Sequence, residues 1–411
     1  MPLTHVHTPI NLGPIALKNR VVRTAHATNL GAGTMNDALI GYHLARAEGG
    51  VGLSIIEILS VHPSTPATLN VFIPDIGDAY RKLVAAVRPH GMKLFQQLWH
   101  GGHNALPLDG SPPWSASDVP SPTIGVTPVP MTQAMIDEIV AAYADTARKC
   151  EEWGLDGVEI HCAHGYLPAQ FLSPNANRRS DGYGGSFENR LRFLREVVAA
   201  VRQAVSVNFA VGVRVAPDQS AGGIGVEDVQ RAVQALEDEH LIDFVDVSLG
   251  DYHAFPKLIG GMHEPMGYEM PTSAPIARAA RTPAIVTGRF RTLEEADQII
   301  RLGDADLVAL TRAHIADPQL VNKTLAGHPE QVRPCIACNQ GCVGGLLGPA
   351  ARMGCTVNPA IGAENSLDDT RLTPVATPRR VLVVGGVHSF PTRRSSDLDH
   401  FLTGQDRKSV V

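Results

Sequence analysis

Eight short apolar segments alternate with stretches of helical periodicity through most of the chain, and this alternation restricts the fold more than any other feature. The apolar segments are Val21–Ala25, Gly52–Leu59, Lys93–His100, Gly157–Ala163, Ala210–Val215, Phe244–Gly250, Ala284–Arg289 and Leu307–Arg312. The stretches with helical periodicity are Asp37–Glu48, Asp78–Pro89, Thr132–Trp153, Phe187–Val205, Val226–His240, Thr292–Leu302 and Pro318–Ala326. Eight strands alternating with helices over roughly 300 residues predict an α/β protein whose parallel sheet closes as a (β/α)8 TIM barrel.

An open, doubly wound sheet is the structural alternative. Such a sheet is expected to carry a glycine-rich phosphate loop after its first strand. The segment Val21–Thr28, with the sequence VVRTAHAT, has no glycine. The pattern therefore favours the barrel.

The composition argues against several classes of protein. The chain has 411 residues and a net charge of −6, so it lacks the excess of Lys and Arg that binds nucleic acids and anionic membranes. We find neither a signal peptide nor an apolar run of the ~20 residues that a membrane helix needs. Six cysteines are too few for a disulfide scaffold in a chain of this length. We therefore expect a cytoplasmic protein with no nucleic-acid or membrane partner, while a homo-oligomer or an electron-donor partner remains open.

Polar residues stand at the carboxyl ends of the predicted strands, where barrel enzymes build their active sites. These residues are Glu57, Gln97, His161, Arg214, Ser248, Gly288, Arg289, Thr311 and Arg312. The last two strands of a barrel are where a phosphate is commonly bound. A buried arginine in the mouth, such as Arg214, can stabilise negative charge on a cofactor ring.

The segment His161–Arg190 follows the fourth predicted strand and gathers candidate catalytic groups. It places His161, His164 and Tyr166 within six residues. Imidazoles and a protonated phenol suit the binding and protonation of a carbonyl oxygen or its enolate. The plain alternative is that the three side chains are solvated or packed. Ser186 is positioned to cap the helix that follows.

Four cysteines lie close together after the predicted barrel. Cys335, Cys338, Cys342 and Cys355 are separated by two, three and twelve residues. Three close thiolates and one distant thiolate favour an iron–sulfur cluster, because zinc sites usually combine two C-x₂₋₄-C pairs. A zinc site and unligated thiols are the alternatives. Cys150 and Cys162 are interpreted as packing residues.

The end of the chain contains one further apolar strand, Arg379–Gly386, which runs into glycines. Dinucleotide-binding domains begin in this way, but no third glycine or helix follows. The remaining sequence has no periodicity, and SFPTRRSSDL within it resembles translated sequencing-adaptor sequence. We therefore interpret 388–411 as a non-native tail.

Taken together, these motifs resemble the old yellow enzyme superfamily, in the iron–sulfur branch that contains 2,4-dienoyl-CoA reductase and trimethylamine dehydrogenase. The resemblance covers about residues 8–387. The matching motifs are LKNRVV at 17–22, QLWHGG at 97–102, His161–Arg190, IADP at 315–318, Cys335–Cys342 and CTVNP at 355–359.

The resemblance implies a domain plan. Residues 1–330 would form an FMN-binding TIM barrel, and 331–378 would form the 4Fe–4S segment and a linker. Residues 379–387 would be the first strand of a truncated FAD- and NAD(P)-binding domain. FAD and NAD(P)H are therefore expected only in the full-length protein.

The resemblance also implies residue roles. The backbone of Thr24, Ala25 and His26, together with Glu57, Gln97 and Arg214, would surround the isoalloxazine ring. Gly288, Arg289, Thr311 and Arg312 would hold the FMN phosphate. His161 and His164 would bind the substrate carbonyl, Tyr166 would donate the proton, and Cys335, Cys338, Cys342 and Cys355 would ligate the 4Fe–4S cluster. The chain departs from many relatives at His103, where they carry Arg.

The leading functional hypothesis is reduction of an activated C=C bond, in an enoyl or dienoyl thioester or a small enone. Oxidative amine demethylation is the second hypothesis, but only 5% of the residues are aromatic, which argues against a cage for an ammonium group. A third hypothesis is an electron-transfer fragment that needs a partner reductase. A metal-dependent aldolase is disfavoured because the rim lacks a carboxylate cluster or a Schiff-base lysine.

Overall fold

The computed structural model describes residues 3–218, 220–368, 370–373 and 377. Eight parallel strands form the central sheet: Val21–Arg23, Leu53–Ser60, Lys93–Trp99, Gly157–Cys162, Ala210–Val215, Phe244–Val247, Ala284–Val286 and Leu307–Ala309. Each strand pairs with the next, and the eighth returns to the first through the pairs Val308–Val21 and Ala309–Val22. The sheet is therefore closed, and the predicted (β/α)8 barrel is confirmed. We number these barrel strands one to eight.

The helices surround the barrel, and four of them are capped by the side chain of the preceding residue, Asn36, Thr132, Ser186 or Thr292. They are Asp37–Glu48, Ile76–Val87, Gln133–Glu152, Phe187–Ala204, Val226–Asp238, Met270–Ala279 and Leu293–Arg301, with Thr311–Ala316 and Leu320–Leu325 after strand eight. The Ser186 hydroxyl accepts the Asn189 N–H at 3.3 Å, which confirms the predicted cap. The helix Met270–Ala279 was missed because it contains Pro271 and Pro275, which lower helix propensity.

The amino-terminal end of the barrel is closed by a hairpin that the sequence analysis also missed. Ile10–Leu12 pairs antiparallel with Ile15–Leu17. Its apolar side chains join those of the barrel interior in one cluster that includes Leu12, Ile15, Leu17, Val22, Leu53, Ile55, Phe95, Ala210, Phe244, Ile285, Leu307 and Ala309. Burial of each Leu, Ile, Val or Phe side chain in this cluster stabilises the fold by about 1.5–3 kcal/mol. The lower barrel interior is therefore a packed core.

The smaller elements lie in the loops. Short strands are Leu69–Asn70, Trp114–Ser115 and Val129–Pro130; short helices are Leu167–Leu172, Phe255–Leu258, Val343–Leu347 and Glu364–Leu367. Single 3-10 turns are Arg88–His90, Gly102–Asn104, Tyr252–Ala254 and Pro329–Gln331. Among the described residues, no helix is both long and apolar enough to cross a membrane.

The segment after the barrel packs against it. Arg46 of the first helix donates to Glu364 at 2.7 Å, and both side chains are fully buried. The Asn358 amide donates to the Ile315 carbonyl at 2.9 Å, and the Met353 N–H donates to the Thr28 carbonyl at 2.9 Å. The cysteine segment is thereby held on the barrel. The predicted strand 379–387 and the predicted tail 388–411 lie outside the described residues.

Candidate active site

The upper part of the barrel interior is polar, in contrast to the apolar core beneath it. Gln97, Glu159, Arg214 and Asp246 are all buried here. The Gln97 amide donates to Glu159 at 2.6 Å, and Arg214 Nε lies 3.5 Å from an Asp246 oxygen. Arg214 Nη1 also donates to the Ala25 carbonyl at 3.1 Å. Two predicted cofactor contacts, Gln97 and Arg214, are thus held by two acids that the sequence analysis overlooked.

The three predicted catalytic side chains converge at the mouth. The His161 ring centroid lies 5.0 Å from that of His164 and 4.7 Å from that of Tyr166. The two imidazole rings are nearly perpendicular, with an interplanar angle of 86°. His164 adopts a φ of +57°, an uncommon conformation for a non-glycine residue that turns the loop back over the strand end. The structure therefore brings together the residues that the sequence grouped.

Both imidazoles are neutral, and burial is the main cause for each of them. Burial lowers the pKa of His161 well below its usual value, and the charge of Arg214 lowers it further. Burial and Arg214 have the same effect on the pKa of His164. Each ring therefore carries one proton and offers one N–H donor at neutral pH.

The hydrogen bonds determine which ring nitrogen carries that proton. His161 Nδ1 accepts the Ala163 N–H at 3.3 Å, so its proton is on Nε2. Arg214 Nη2 donates to the Ser248 hydroxyl at 3.4 Å, and that hydroxyl lies 2.9 Å from His164 Nε2. When the Ser248 hydroxyl donates to His164 Nε2, the ring proton of His164 is on Nδ1. In that tautomer the two rings present two separate N–H donors.

Tyr166 belongs to an aromatic group that the sequence analysis did not find. Its hydroxyl lies 2.8 Å from the Tyr252 hydroxyl, and its ring makes an edge contact with Trp99 at 5.3 Å. Burial, followed by the neighbouring Tyr252, raises the pKa of Tyr166 well above its usual value. The phenol therefore stays protonated. The position of Tyr252, four residues after Ser248 in the loop of strand six, was the signal available in the sequence.

A cavity of about 330 Å³ opens beside this group. Its lining includes His164 and Tyr252, and the rest comes from the loops that follow strands three to six. His103 also lines it and is held by a 2.8 Å contact with the Val119 carbonyl. The cavity has the size of a small-molecule site, and of the three candidate catalytic side chains it is lined by His164.

The first strand ends at the other side of the mouth. The Thr24 N–H donates to the Thr311 hydroxyl at 3.1 Å, which joins strand one to strand eight. The His26 side chain turns away to contact the Tyr42 hydroxyl at 3.0 Å, which leaves only its backbone for a ligand. Glu57 is likewise turned inward, where it accepts the N–H and hydroxyl of Thr28. The predicted cofactor role of Glu57 has no support from this contact and stays a prediction.

The contacts of the predicted phosphate-binding residues differ: Gly288 and Arg289 are open to a ligand, whereas Arg312 is bonded to other parts of the chain. At Gly288 a Cβ would stand 2.9 Å from the Phe290 ring, so glycine allows a close approach of the backbone. Arg289 has a φ of +61°, and its Nε is buried without a hydrogen-bond partner in the described part of the chain. Arg312 instead donates to the Gly260 carbonyl and to Asn339, both at 2.7 Å. Arg312 therefore contacts the cysteine loop.

The four clustered cysteines line one cavity together with Arg312. The Cys338 thiol contacts the Thr356 hydroxyl at 3.2 Å. Among the described residues, no three His, Cys, Asp or Glu side chains are close enough to hold one metal ion. The structure therefore places the four cysteines around one cavity, and their role as ligands of a 4Fe–4S cluster stays a prediction.

A closed barrel with converging polar side chains at its carboxyl end defines an enzyme of the TIM-barrel class. Residues 5–331 match the model of the NADH:flavin oxidoreductase / NADH oxidase family. The chain therefore belongs to this family.

Three similar proteins illustrate the range of this family. An NADH oxidase of Thermoanaerobacter brockii is 36% identical over 91% of the chain and 58% of its own length. A 2-naphthoyl-CoA reductase structure superposes with a TM-score of 0.86 at 26% identity, over 92% of this chain and 60% of that one. The 6-hydroxypseudooxynicotine amine oxidase of Pseudomonas geniculata N1 gives a TM-score of 0.82 at 30% identity, over 89% and 55%. The chain therefore spans little more than half the length of these proteins.

Proposed function

We propose that this chain binds FMN at the barrel mouth and reduces a C=C bond conjugated to a carbonyl group, in an enoyl or dienoyl thioester or a small enone. The observation that carries this proposal is the convergence of two neutral imidazoles and a protonated phenol, His161, His164 and Tyr166, at the barrel mouth. His164 also lines the cavity. This donor set suits a substrate whose oxygen gains negative charge during the reaction.

The residues at the mouth fit FMN. The buried guanidinium of Arg214 suits the electron-rich edge of the ring, and the Gln97 amide is buried in the same polar region of the barrel. The unpartnered Arg289 Nε and the open backbone at Gly288 suit the phosphate. Thr24, Ala25 and Thr311 would contribute backbone and hydroxyl groups between these two ends. When bound, FMN supplies the hydride.

The side chains of this chain would then orient the substrate and deliver the proton. His161 Nε2–H and His164 Nδ1–H bind the carbonyl oxygen and stabilise the charge that develops on it. Tyr166 donates its proton to the carbon next to the carbonyl. The Tyr252 hydroxyl lies 2.8 Å from that phenol, and Tyr252 lines the cavity, so it can return a proton to Tyr166.

We further propose that Cys335, Cys338, Cys342 and Cys355 ligate a 4Fe–4S cluster that passes electrons to the flavin. The shared cavity and the spacing of the four cysteines along the chain support a cluster. The electrons would come from an NAD(P)H-linked unit that contains FAD.

Amine oxidation is the second candidate, and a specific observation favours it. Trp99, Tyr166 and Tyr252 gather at the mouth, although the chain has few aromatic residues overall. Aromatic faces attract an ammonium group, and one structural relative is an amine oxidase. The low aromatic content was therefore a poor argument against this substrate class.

The first test is an anaerobic absorbance spectrum of the purified chain, with flavin, iron, sulfide and zinc quantified on the same sample. Bound FMN with iron and sulfide is expected, and zinc without flavin would overturn both cofactor assignments. Mixing with substrates then separates the two functions. Reoxidation of reduced flavin by an enone supports alkene reduction, whereas bleaching of oxidised flavin by a small secondary amine supports amine oxidation.

A further inference from the structure

Two acids are buried in contact inside the barrel, in the polar layer beneath the mouth. Glu159 and Asp246 are both fully buried, and their carboxyl groups lie within hydrogen-bond distance of each other. They belong to strands four and six, on either side of strand five. The register partner of Glu159 on strand five is Gly212, and that of Asp246 is Arg214, two residues further along. Because Gly212 has no side chain, strand five places no side chain next to Glu159 at the level of Glu159.

The hydrogen bonds account for only one of the four carboxyl oxygens. Glu159 Oε1 accepts the Gln97 amide at 2.6 Å. Glu159 Oε2 and both Asp246 oxygens are buried without a hydrogen-bond donor in the described part of the chain. The nearest cation, Arg214, forms an ion pair with Asp246 at 3.5 Å but no hydrogen bond to it through Nε. With both acids ionised, the carboxyls would meet oxygen to oxygen.

A single proton resolves this arrangement. It converts one oxygen into a donor, so that one acid donates to the other. The charges also balance, because one buried guanidinium then faces one buried carboxylate. His161, the next inward-facing residue on strand four, is neutral and adds no charge. Asp246 is the partner of Arg214, which leaves Glu159 as the acid that holds the proton.

We propose that Glu159 stays protonated and donates a hydrogen bond to Asp246 through this proton. Glu159 is then a positioning residue for Gln97. The inference rests on the proposed function only in that Gln97 is taken to face the flavin ring. Burial and the negative charge of Asp246 both raise the pKa of Glu159 well above its usual value, in agreement with the geometry.

The direction of the proton fixes the direction of the Gln97 amide. Since the acid proton of Glu159 points to Asp246, its other oxygen is an acceptor and requires the NH₂ group of Gln97. The carbonyl oxygen of Gln97 is then free on the opposite side, as an acceptor for a ring N–H. Asp246, kept ionised, holds Arg214, which continues through Ser248 to His164. The proton of Glu159 therefore orders the two predicted ring contacts, Gln97 and Arg214, and the predicted substrate contact His164.

The test is infrared spectroscopy of the full chain as purified, because a buried carboxylic acid gives a C=O band that shifts in ²H₂O. Wild-type protein should show this band from about pH 6 to about pH 8, above the usual range for Glu. Glu159→Gln should lose it. Asp246→Asn should shift it, because the acceptor changes. Asp243→Asn, which removes a carboxylate paired with Arg202, is the control and should leave it unchanged.

A second readout concerns charge. Glu159→Gln mimics the protonated acid, so the midpoint potential of bound flavin should stay close to wild type, whereas Asp246→Asn removes a negative charge and should raise it. Absence of the acid band in the wild type, or its survival in Glu159→Gln, overturns the inference. If Glu159→Gln does not fold, the band shift in Asp246→Asn decides. A band in a chain that binds no FMN would keep the inference and reject the proposed function.

Discussion

Arg312, at the end of barrel strand eight, donates to the side chain of Asn339, between the second and third clustered cysteines, at 2.7 Å. The Asn339 amide in turn donates to the Ile259 carbonyl at 2.9 Å, and Arg312 donates to the neighbouring Gly260 carbonyl. Asn339 has a φ of +57°, which an asparagine tolerates better than most residues. The cysteine loop is thus held to the barrel mouth by a residue that was predicted to bind phosphate.

Asn339→Ala should loosen the cysteine loop and lower the iron content of the purified chain. The substitution removes the hydrogen bond from Arg312 to the cysteine loop and leaves Arg312 only its bond to the Gly260 carbonyl. A hydrogen bond to a charged group contributes about 1.5–3 kcal/mol. Iron and sulfide per chain, and the rate of iron loss to a chelator, measure the effect. Gln340→Ala, at an exposed neighbouring position, is the matched control. Equal iron retention in both variants would show that this contact does not support the cluster.

Cys338→Ala should remove the cluster but leave the barrel folded, because the closed sheet and its core do not involve the cysteine loop. Iron and sulfide analysis together with circular dichroism during thermal unfolding would separate the two effects. Cys150→Ala, in the helix Gln133–Glu152, should keep its iron. Stoichiometric iron and sulfide in Cys338→Ala would count against this cysteine as a ligand.

Tyr166→Phe should slow the reoxidation of reduced flavin by an enone while leaving FMN bound. Loss of a positioned general acid costs about 10²- to 10⁴-fold in rate. Stopped-flow absorbance under anaerobic conditions measures it, with Tyr183→Phe, a tyrosine outside the mouth, as the control. The raised pKa of Tyr166 also predicts no loss of rate from this group through the neutral range. Unchanged turnover in Tyr166→Phe would remove it as the required acid.

His100 should make the protein less stable as the pH falls below about 6.5. Burial, followed by the nearby His62, lowers the pKa of His100 to about 3. Between these values the unfolded chain binds a proton that the folded chain does not, so the free energy of unfolding decreases by about 1.4 kcal/mol per pH unit. Urea unfolding as a function of pH should show a shallower dependence in His100→Gln. The exposed His328→Gln is the control, and an identical slope in His100→Gln would contradict the argument.

Glu364→Gln should destabilise the protein strongly, because it leaves the fully buried Arg46 without its anionic partner. Breaking a buried pair in this way costs about 3–5 kcal/mol. Asp78→Asn, which breaks the exposed pair with Arg81, should cost about 0–1 kcal/mol. Urea unfolding of both variants gives the comparison. A small effect at Glu364 would mean that the segment after the cysteines does not pack on the barrel in solution.

Local patterns in the sequence were enough to predict the barrel and most of its parts. The strand Ala210–Val215 and the helix Asp37–Glu48 have the predicted bounds, and the others differ at their ends. The periodicity of a strand or helix shows which of its faces is buried, so it can be read from the sequence without knowing which elements pack against that face. The helix Met270–Ala279 was missed because its prolines obscure the helical signal, and the packing of its buried face outweighs that local preference.

The sequence by itself therefore determined the order of strands and helices, the polar strand ends and the grouping of His161, His164 and Tyr166, since each depends on neighbours in the chain. Only the tertiary structure placed Tyr252 against Tyr166, Asp246 against Glu159 and Asn339 against Arg312. These pairs come from different strands or loops, and barrel closure is what brings their side chains within hydrogen-bond distance. Contacts between distant parts of a chain leave no periodic pattern, so the chemistry of the mouth was decided by closure of the sheet.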